Sequence, residues 1–145
     1  MSKSLIQPYL NFGGRCEEAI EFYRTAIGAE VLMLMRFKDA PMPYDPKNAP
    51  PGTENKVMHA TLRIGASIVM ASDGQCTGSG SKFEGFNLSF TAPDEAEANR
   101  VFNALAQGGK VEMPIGKTFW SPCFGMVTDR FGLGWMVTVP MENPA

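Results

Sequence analysis

His59 is the only histidine in this 145-residue chain, and imidazole is the side chain best suited to move a proton near neutral pH. It alternates with Met58 and Ala60 in a predicted strand, which puts it on one face of a sheet. There it could serve as a general base or as a metal ligand. The sequence favours a hydrogen-bonded histidine that lines or fills the fold, because no other reactive side chain lies near it along the chain.

An internal repeat provides two further candidates. A shift of 80 positions (87 − 7) places Gln7 on Asn87, and a shift of 67 positions (132 − 65) places Arg63 on Arg130. The first shift also aligns Phe22 with Phe102 and Gly28 with Gly108, and the second aligns Thr61 with Thr128 and Gly65 with Gly132. Duplicated units usually share a cleft, so the repeat predicts one between the two copies. The recurring arginines indicate an architectural role, with anion binding as the alternative.

Because an amide offers both a donor and an acceptor, Gln7 and Asn87 are predicted to orient a ligand by hydrogen bonds. The alternative is that each amide bonds only to its own surroundings.

An aromatic cluster surrounds one cysteine in the second copy. Phe119, Trp120 and Phe124 flank Cys123, and Lys117 lies six positions before it. Aromatic rings with a few polar groups are typical of a pocket for a flat apolar molecule, so Trp120 and Phe124 are predicted to bind ligand. Aromatic packing at a dimer contact is the alternative. Cys123 is interpreted as structural, because only Lys117 would favour a reactive thiolate.

Each copy predicts the element order β-α-β-β-β. Apolar residues at helical spacing mark a helix that begins at Cys16 and ends at Gly28, and a second helix follows Pro93. The apolar faces are formed by Cys16, Ala19, Ile20, Tyr23 and Ile27 in the first helix and by Ala98, Val101, Phe102 and Leu105 in the second. The predicted strands are 5–10, 30–37, 56–64, 67–72, 86–91, 110–114, 124–129 and 134–139.

Two segments stand outside these elements. Residues 73–81, rich in Gly and Ser, are predicted to link the copies, and residues 40–52 contain five prolines. The proline-rich insert predicts a lid over the cleft or an arm that clasps a dimer partner. Most of the ten methionines fall on predicted strands, where they line an adaptable cavity or fill the core.

One helix covers only one face of a four-stranded sheet, so the two copies are expected to cover each other. The predicted fold is α+β, with two βαβββ modules paired into a half-open mixed β-sheet barrel. Residues 1–145 then form a single domain made of two repeats, about 4–73 and 83–140.

Composition restricts the partners and the location. The formal net charge is −2 and there is no basic block, so nucleic acid is not an expected partner. No apolar run reaches the roughly 20 residues of a membrane span, and no signal peptide is apparent. Three widely spaced cysteines favour reduced thiols, which predicts a cytoplasmic protein.

Three long stretches resemble the vicinal oxygen chelate superfamily of glyoxalases, bleomycin-resistance proteins and dioxygenases, in its PhnB-like branch. They are PYLNFGGRCEEAIEFY (8–23), KVMHATLRIGASIVMASDG (56–74) and GKTFWSPCFGMVTDRFGLGWMV (116–137). The resemblance implies paired βαβββ modules, usually homodimers, with a small-molecule or metal site in the cleft. It places the metal ligands at Gln7 or Pro8, Val69 or Met70, Asn87, and Met136 or Val137.

These residues depart from the metal-binding pattern, because thioethers, aliphatic groups and neutral amides are poor ligands for a divalent cation. We therefore expect a small organic ligand and no cofactor. Two alternatives stay open. One is a metal-dependent isomerase, lyase or dioxygenase that uses Gln7, His59 and Asn87, and the other is a protein that sequesters a drug or toxin. Some members of the branch are linked to demethylubiquinone methyltransferases, but this chain has no glycine-rich nucleotide-binding fingerprint to support that activity.

Overall fold

Both repeats fold as β-α-β-β-β modules, as the sequence predicts. The computed structural model describes residues 3–40, 51–74 and 82–141. The chain divides into two compact units, Met1–Ser81 and Lys82–Ala145, and each contains one helix and one four-stranded sheet among its described residues. The fold is therefore α+β, with one βαβββ module in each unit. The half-open barrel and the single domain stay predictions.

The first module contains β1 (Tyr9–Asn11), α1 (Cys16–Ile27), β2 (Glu30–Arg36), β3 (Val57–Ile64) and β4 (Ser67–Ser72). Short 3₁₀ turns at Phe37–Asp39 and Thr53–Asn55 lie between β2 and β3. The strand order is β1-β4-β3-β2, with β1 parallel to β4 and the other pairs antiparallel. The proline-rich insert is outside the described residues from 41 to 50.

The second module contains β5 (Leu88–Thr91), α2 (Glu95–Ala106), β6 (Lys110–Gly116), β7 (Phe124–Thr128) and β8 (Gly134–Thr138). Its strand order, β5-β8-β7-β6, and its strand directions repeat those of the first module. No helix in the described ranges of either module is long and apolar enough to cross a membrane.

Both helices bury the residues that the helical spacing predicts. In α1 these are Cys16, Ala19, Ile20, Tyr23 and Ile27, together with Ala26, and in α2 they are Ala98, Val101, Phe102 and Leu105. Gly28 ends α1 at φ 71°, and its N–H donates to the carbonyl of Tyr23. Glycine reaches this left-handed conformation without a Cβ clash.

The helix starts are capped in different ways. At α2 the side chain of Asp94 accepts a hydrogen bond from the N–H of Glu97 at 2.8 Å. At α1 a distant residue does the same work, because Asp73 Oδ1 accepts from the N–H groups of Gly14 and Cys16 at 2.9 and 2.8 Å. The prediction of a linker beginning at Asp73 is wrong at that residue, which is 1% exposed, and residues 75–81 lie outside the described ranges.

The first strand of each module begins later than predicted. β1 starts at Tyr9 rather than Leu5, and Ile6 is 99% exposed. Pro8 still accepts a hydrogen bond from the N–H of Met70, but it has no N–H with which to extend the ladder. β5 likewise starts at Leu88 rather than Phe86.

The repeat register predicted for the third strands is also wrong. Thr61 and Met126 occupy the same place in their sheets, because Thr61 pairs with Met33 and Met70, whereas Met126 pairs with Met113 and Met136. The shift is therefore 65 (126 − 61). The turns that follow these strands also differ in length, because residues 65–66 connect β3 to β4 and residues 129–133 connect β7 to β8.

As a consequence, Arg63 and Arg130 are not equivalent. Arg63 lies within β3 and forms an ion pair with Glu30 at 3.4 Å. Arg130 lies in the turn after β7, and its Nε donates to the carbonyl of Gln107 at 3.1 Å.

Candidate functional site

The first sheet has one face that carries the core of its module and one that does not. Along β3, Ala60, Leu62 and Ile64 are buried, whereas Thr61 is half-buried and Arg63 is exposed. We call the side of β3 that carries His59, Thr61 and Arg63 the open face of the first sheet. A strand alternates its side chains between two faces, so the period-2 pattern of β3 separates core residues from site residues.

Three hydrogen-bonding side chains meet on this face. The hydroxyl of Tyr9 lies 3.1 Å from Nδ1 of His59, and Nε2 of His59 lies 3.1 Å from Oγ1 of Thr61. The Tyr9 and His59 rings are tilted by 48°, with centroids 5.6 Å apart. Tyr9 is 46% exposed and His59 is half-buried, so the chain of hydrogen bonds runs inward from an accessible phenol.

This arrangement can pass a proton without moving a heavy atom. A neutral imidazole has one N–H donor and one acceptor nitrogen. In one tautomer Tyr9 donates to His59, which donates to Thr61, and in the other tautomer both bonds reverse. Because hydroxyl groups donate and accept equally well, both states keep the two hydrogen bonds and differ only in the proton positions.

Thioethers surround this polar chain. Met70 pairs with both Tyr9 and Thr61, Met33 pairs with Thr61, and Met35 pairs with His59. Paired residues in neighbouring strands project to the same face. The face therefore combines a phenol and an imidazole with flexible apolar side chains that adapt to different ligand shapes.

In each fourth strand the two residues that the resemblance offers lie on opposite faces. Val69 and Val137 are buried, whereas Met70 and Met136 are only half-buried and lie on the opposite side of their strands. Of the places that the resemblance implies, Met70 and Met136 therefore project away from the module cores.

Neither amide candidate lies on a strand. Gln7 is half-buried and precedes β1, and Asn87 is exposed and immediately precedes β5. The side-chain oxygen of Asn87 occupies the space where a Cβ at Gly134 would project, so Asn87 packs over the start of β8. The ligand-binding role of both amides stays a prediction.

Trp120 and Phe124 do come together, as predicted. Their ring centroids are 5.3 Å apart in an edge-on arrangement, and Phe119 stacks edge-on against Trp120 at 4.7 Å. Trp120 is 45% exposed, whereas Phe124 is only 6% exposed. Phe124 therefore lies beneath Trp120, whereas the rings of Trp120 and Phe119 are both accessible to a ligand.

Cys123 has the environment of a structural thiol. It is buried, and its sulfur lies 3.9 Å from the side-chain nitrogen of Asn99. Burial, with a smaller contribution from the Glu95 carboxylate, raises the pKa of the Cys123 thiol. A raised pKa keeps the thiol protonated and a poor nucleophile.

The donor set does not fit a divalent cation. Both ring nitrogens of His59 already lie within hydrogen-bond distance of hydroxyl groups, and its other neighbours on the open face are thioethers. Within residues 3–40, 51–74 and 82–141, no group of three His, Cys, Asp or Glu side chains is placed to hold a metal. Divalent metals in proteins prefer imidazole, carboxylate or thiolate, so thioethers and an imidazole with both nitrogens engaged are a poor donor set for such an ion.

The five predicted site residues divide between the two modules. Gln7 and His59 belong to the first, and Asn87, Trp120 and Phe124 belong to the second.

Tyr9, one of the two hydrogen-bonding partners of His59, is not among the residues predicted from the sequence. Tyr9 lies two positions after Gln7, on the same side of an extended chain, and its phenol can donate and accept. The alternation would have suggested it, but its contact with a residue 50 positions away required the structure.

Comparisons with known proteins agree with this architecture. The chain is 38% identical over 144 residues to Protein YjdN of Escherichia coli, covering 96% of this chain and 97% of that protein. The crystal structure of protein PA1353 from Pseudomonas aeruginosa is 41% identical, with a TM-score of 0.82 over 97% of this chain and 100% of that chain.

A third relative is a Bacillus cereus structure named "Putative 3-demethylubiquinone-9 3-methyltransferase, PhnB protein". It is 31% identical, with a TM-score of 0.75 over 94% of this chain and 99% of that chain. Residues 6–137 match the family described as the Glyoxalase/Bleomycin resistance protein/Dioxygenase superfamily. With its βαβββ modules and its PhnB-like relatives, the chain belongs to that superfamily, in the PhnB-like branch.

Proposed function

We propose that this chain binds a small organic molecule on the open face of the first sheet and holds no tightly bound divalent metal there. The observation that carries the proposal is the hydrogen-bonded chain of Tyr9, His59 and Thr61, set among thioethers on a face outside the module core. A few polar groups within an apolar lining are typical of small-molecule sites.

The lining indicates the kind of ligand. Met33, Met35 and Met70 offer apolar contact, and Tyr9 offers both a ring surface and a hydroxyl. A molecule with a flat apolar body and one hydroxyl, carbonyl or carboxylate group would satisfy both parts of the face. Ligand contacts at Gln7 in the first module and at Asn87, Trp120 and Phe124 in the second remain proposals.

The single histidine makes this proposal directly testable. Because only His59 contributes imidazole signals, its ring C–H resonances in a ¹H–¹³C NMR spectrum report on the site without assignment. We would screen a library of aromatic acids, phenols and ketones. We expect binders that shift the His59 resonances and that bind Y9F about fivefold more weakly, the loss of one hydrogen bond worth about 1 kcal/mol.

The matched control is T25A, on the exposed side of α1, which should bind like the wild-type chain. A library in which no compound moves the His59 signals would contradict the proposal. So would a binder with equal affinity for the wild-type chain and Y9F.

The divalent-metal prediction has its own test. Elemental analysis of protein purified without chelators should find zinc, nickel, iron, manganese and cobalt well below one equivalent per chain. A stoichiometric divalent metal whose content falls in H59A would support the metal-dependent alternative and defeat our proposal.

The proton path between Tyr9 and Thr61 favours an enzyme as the second candidate. A bound substrate could lose a proton to the Tyr9 oxygen as the phenol proton moves to Nδ1 of His59 along the existing hydrogen bond, which leaves a neutral phenol, an imidazolium and a substrate anion. An enzyme of this kind converts its ligand, whereas a protein that sequesters a drug or toxin releases it unchanged. Incubation of each NMR binder followed by mass spectrometry separates the two, with H59Q as the inactive control.

We further propose a cytoplasmic homodimer whose partner is a small molecule rather than nucleic acid. The formal charge of −2 and the absence of a basic block in the sequence argue against nucleic acid as a partner. Exposed apolar side chains on the outer strand of each sheet support self-association, with Leu32 on β2 and Val111 on β6 as examples.

A further inference from the structure

Three methionines lie side by side across the second sheet. Met113 pairs with Met126, and Met126 pairs with Met136, so the three occupy one row across β6, β7 and β8. We call Met113, Met126 and Met136 the methionine row. Directly paired residues in neighbouring strands have Cβ atoms about 4.5–5.5 Å apart. Each thioether has three flexible bonds behind it, so the three sulfur atoms can converge on one point.

The row stands on the side of the sheet away from α2. Gly125 lies against the helix, because a Cβ there would come 2.7 Å from Cε2 of Phe102. Met126, the next residue along β7, must therefore project to the opposite face. Met126 and Met136 are half-buried and Met113 is 39% exposed, so the row is partly sheltered yet open to a small solute.

The aromatic cluster borders this row. Phe124 precedes Met126 by two positions, so its side chain lies on the same face, and it packs against Trp120. The row is therefore bordered by buried aromatic carbon on the side of Phe124. A weakly hydrated cation can enter such a place at low cost, and an aromatic ring face attracts a cation.

Thioether sulfur is a soft, neutral ligand. It selects Cu(I) over Mg²⁺, Ca²⁺ and Mn²⁺, which take hard oxygen ligands. Three thioethers that close on one ion would provide a trigonal set of donors for a monovalent cation, and no ligand would have to lose a proton on binding. We propose that the methionine row is a binding site for Cu(I).

The first module provides an internal comparison. The corresponding row contains Met33, Thr61 and Met70, so a hydroxyl replaces the central thioether. Two sulfur atoms separated by an intervening strand cannot form the same three-donor set. The proposal therefore predicts one Cu(I) site per chain, in the second module, independent of ligand binding at Tyr9 and His59.

The test measures Cu(I) affinity under anaerobic conditions by competition with bicinchoninate. Accessible thiols are first alkylated with iodoacetamide, so that cysteine thiolates do not compete for the ion. The variants are M126L, which removes the central donor, and the matched control M70L in the first module. Leucine keeps the volume and apolar character of methionine, and circular dichroism checks that each variant folds.

We expect one equivalent of Cu(I) in the wild-type chain and at least tenfold weaker binding in M126L, with M70L unchanged. X-ray absorption should show sulfur in the first coordination shell. T61M completes the row in the first module and should raise the stoichiometry to two. Equal affinity of M126L and the wild-type chain would overturn the proposal, as would equal losses in M126L and M70L, or the absence of Cu(I) binding to a folded wild-type chain.

Discussion

Asp73 shows how one buried carboxylate fixes the first module. Its two oxygens accept hydrogen bonds from the backbone N–H groups of Gly14, Cys16 and Val57 at 2.8–2.9 Å. It therefore joins the end of β4 to the start of α1 and the start of β3, whose faces carry the module core and the candidate site. A carboxylate can accept several hydrogen bonds at once, and Asp73 accepts three. The side chain of Asp94, which caps α2, accepts one from the N–H of Glu97.

We expect D73A to destabilise the protein more than D94A does. The first change leaves three backbone donors without their charged acceptor and should cost about 3 kcal/mol. Asp94 caps α2 through one exposed hydrogen bond, and its loss should cost about 1 kcal/mol. Urea unfolding followed by circular dichroism measures both. Equal costs in the two variants would mean that Asp73 does not tie the three segments together.

Cys123 gives the protein a predicted weakness at alkaline pH. Burial raises the pKa of its thiol, so the folded state keeps a proton that the unfolded state has already lost. Above a pH of about 8.5 the unfolded chain binds fewer protons, so the free energy of unfolding must fall as pH rises. Urea unfolding between pH 8 and pH 10 should show a shallower fall in C123A than in the wild-type chain, with T25A as the control. Equal slopes in C123A and the wild-type chain would show that the Cys123 thiol does not cause the loss of stability at alkaline pH.

At the scale of elements, the second module depends on close contact between α2 and the sheet. A Cβ at Gly125 would lie 2.7 Å from Cε2 of Phe102 and 2.9 Å from the Cα of Ile115. Helix and strand can approach this closely only because residue 125 has no side chain. The same contact places Gly125 on the face of β7 that meets the helix and Met126 on the opposite face.

G125A should therefore cost about 1–3 kcal/mol of stability, as overpacking of a dense core does. The matched control is G116A, where a Cβ would enter open space, and its effect should be close to zero. F102L should recover part of the loss in the G125A background, because it shortens one of the two obstructing groups. Thermal unfolding of the four proteins measures this, and a neutral G125A would show that the helix is free to move away.

The elements also show what the sequence can and cannot predict. The buried faces of α1 and α2 follow from local spacing, because a helix repeats every 3.6 residues whatever surrounds it. The start of β1 and the hydrogen bond between Tyr9 and His59 depend on pairing with residues far along the chain. Asp73 resembled a linker residue because its partners Gly14 and Cys16 are more than 50 positions away.

At the scale of the whole molecule, duplication has preserved the framework and changed the chemistry. The two sheets have the same strand order and the same pairing, so corresponding rows can be compared residue by residue. In the first module one row contains Tyr9 and Thr61, and in the second the same places hold Ser89 and Met126. The first copy has two hydroxyl groups within hydrogen-bond distance of His59, and the second has a third thioether at the place of Thr61.

The duplicated framework also leaves an apolar edge strand in each module, which leads to the prediction of a homodimer. β2 and β6 each form one of the two outer strands of their sheets, and Val31, Leu32 and Val111 on them are exposed. Exposed apolar edge strands favour association, so a second copy should cover them.

Light scattering after size exclusion should give twice the chain mass of 15.8 kDa. L32D should shift the mass toward the monomer, because a carboxylate cannot be buried there without cost, whereas T25D on the exposed side of α1 should not. A wild-type chain that runs at 15.8 kDa over a wide concentration range would overturn the prediction.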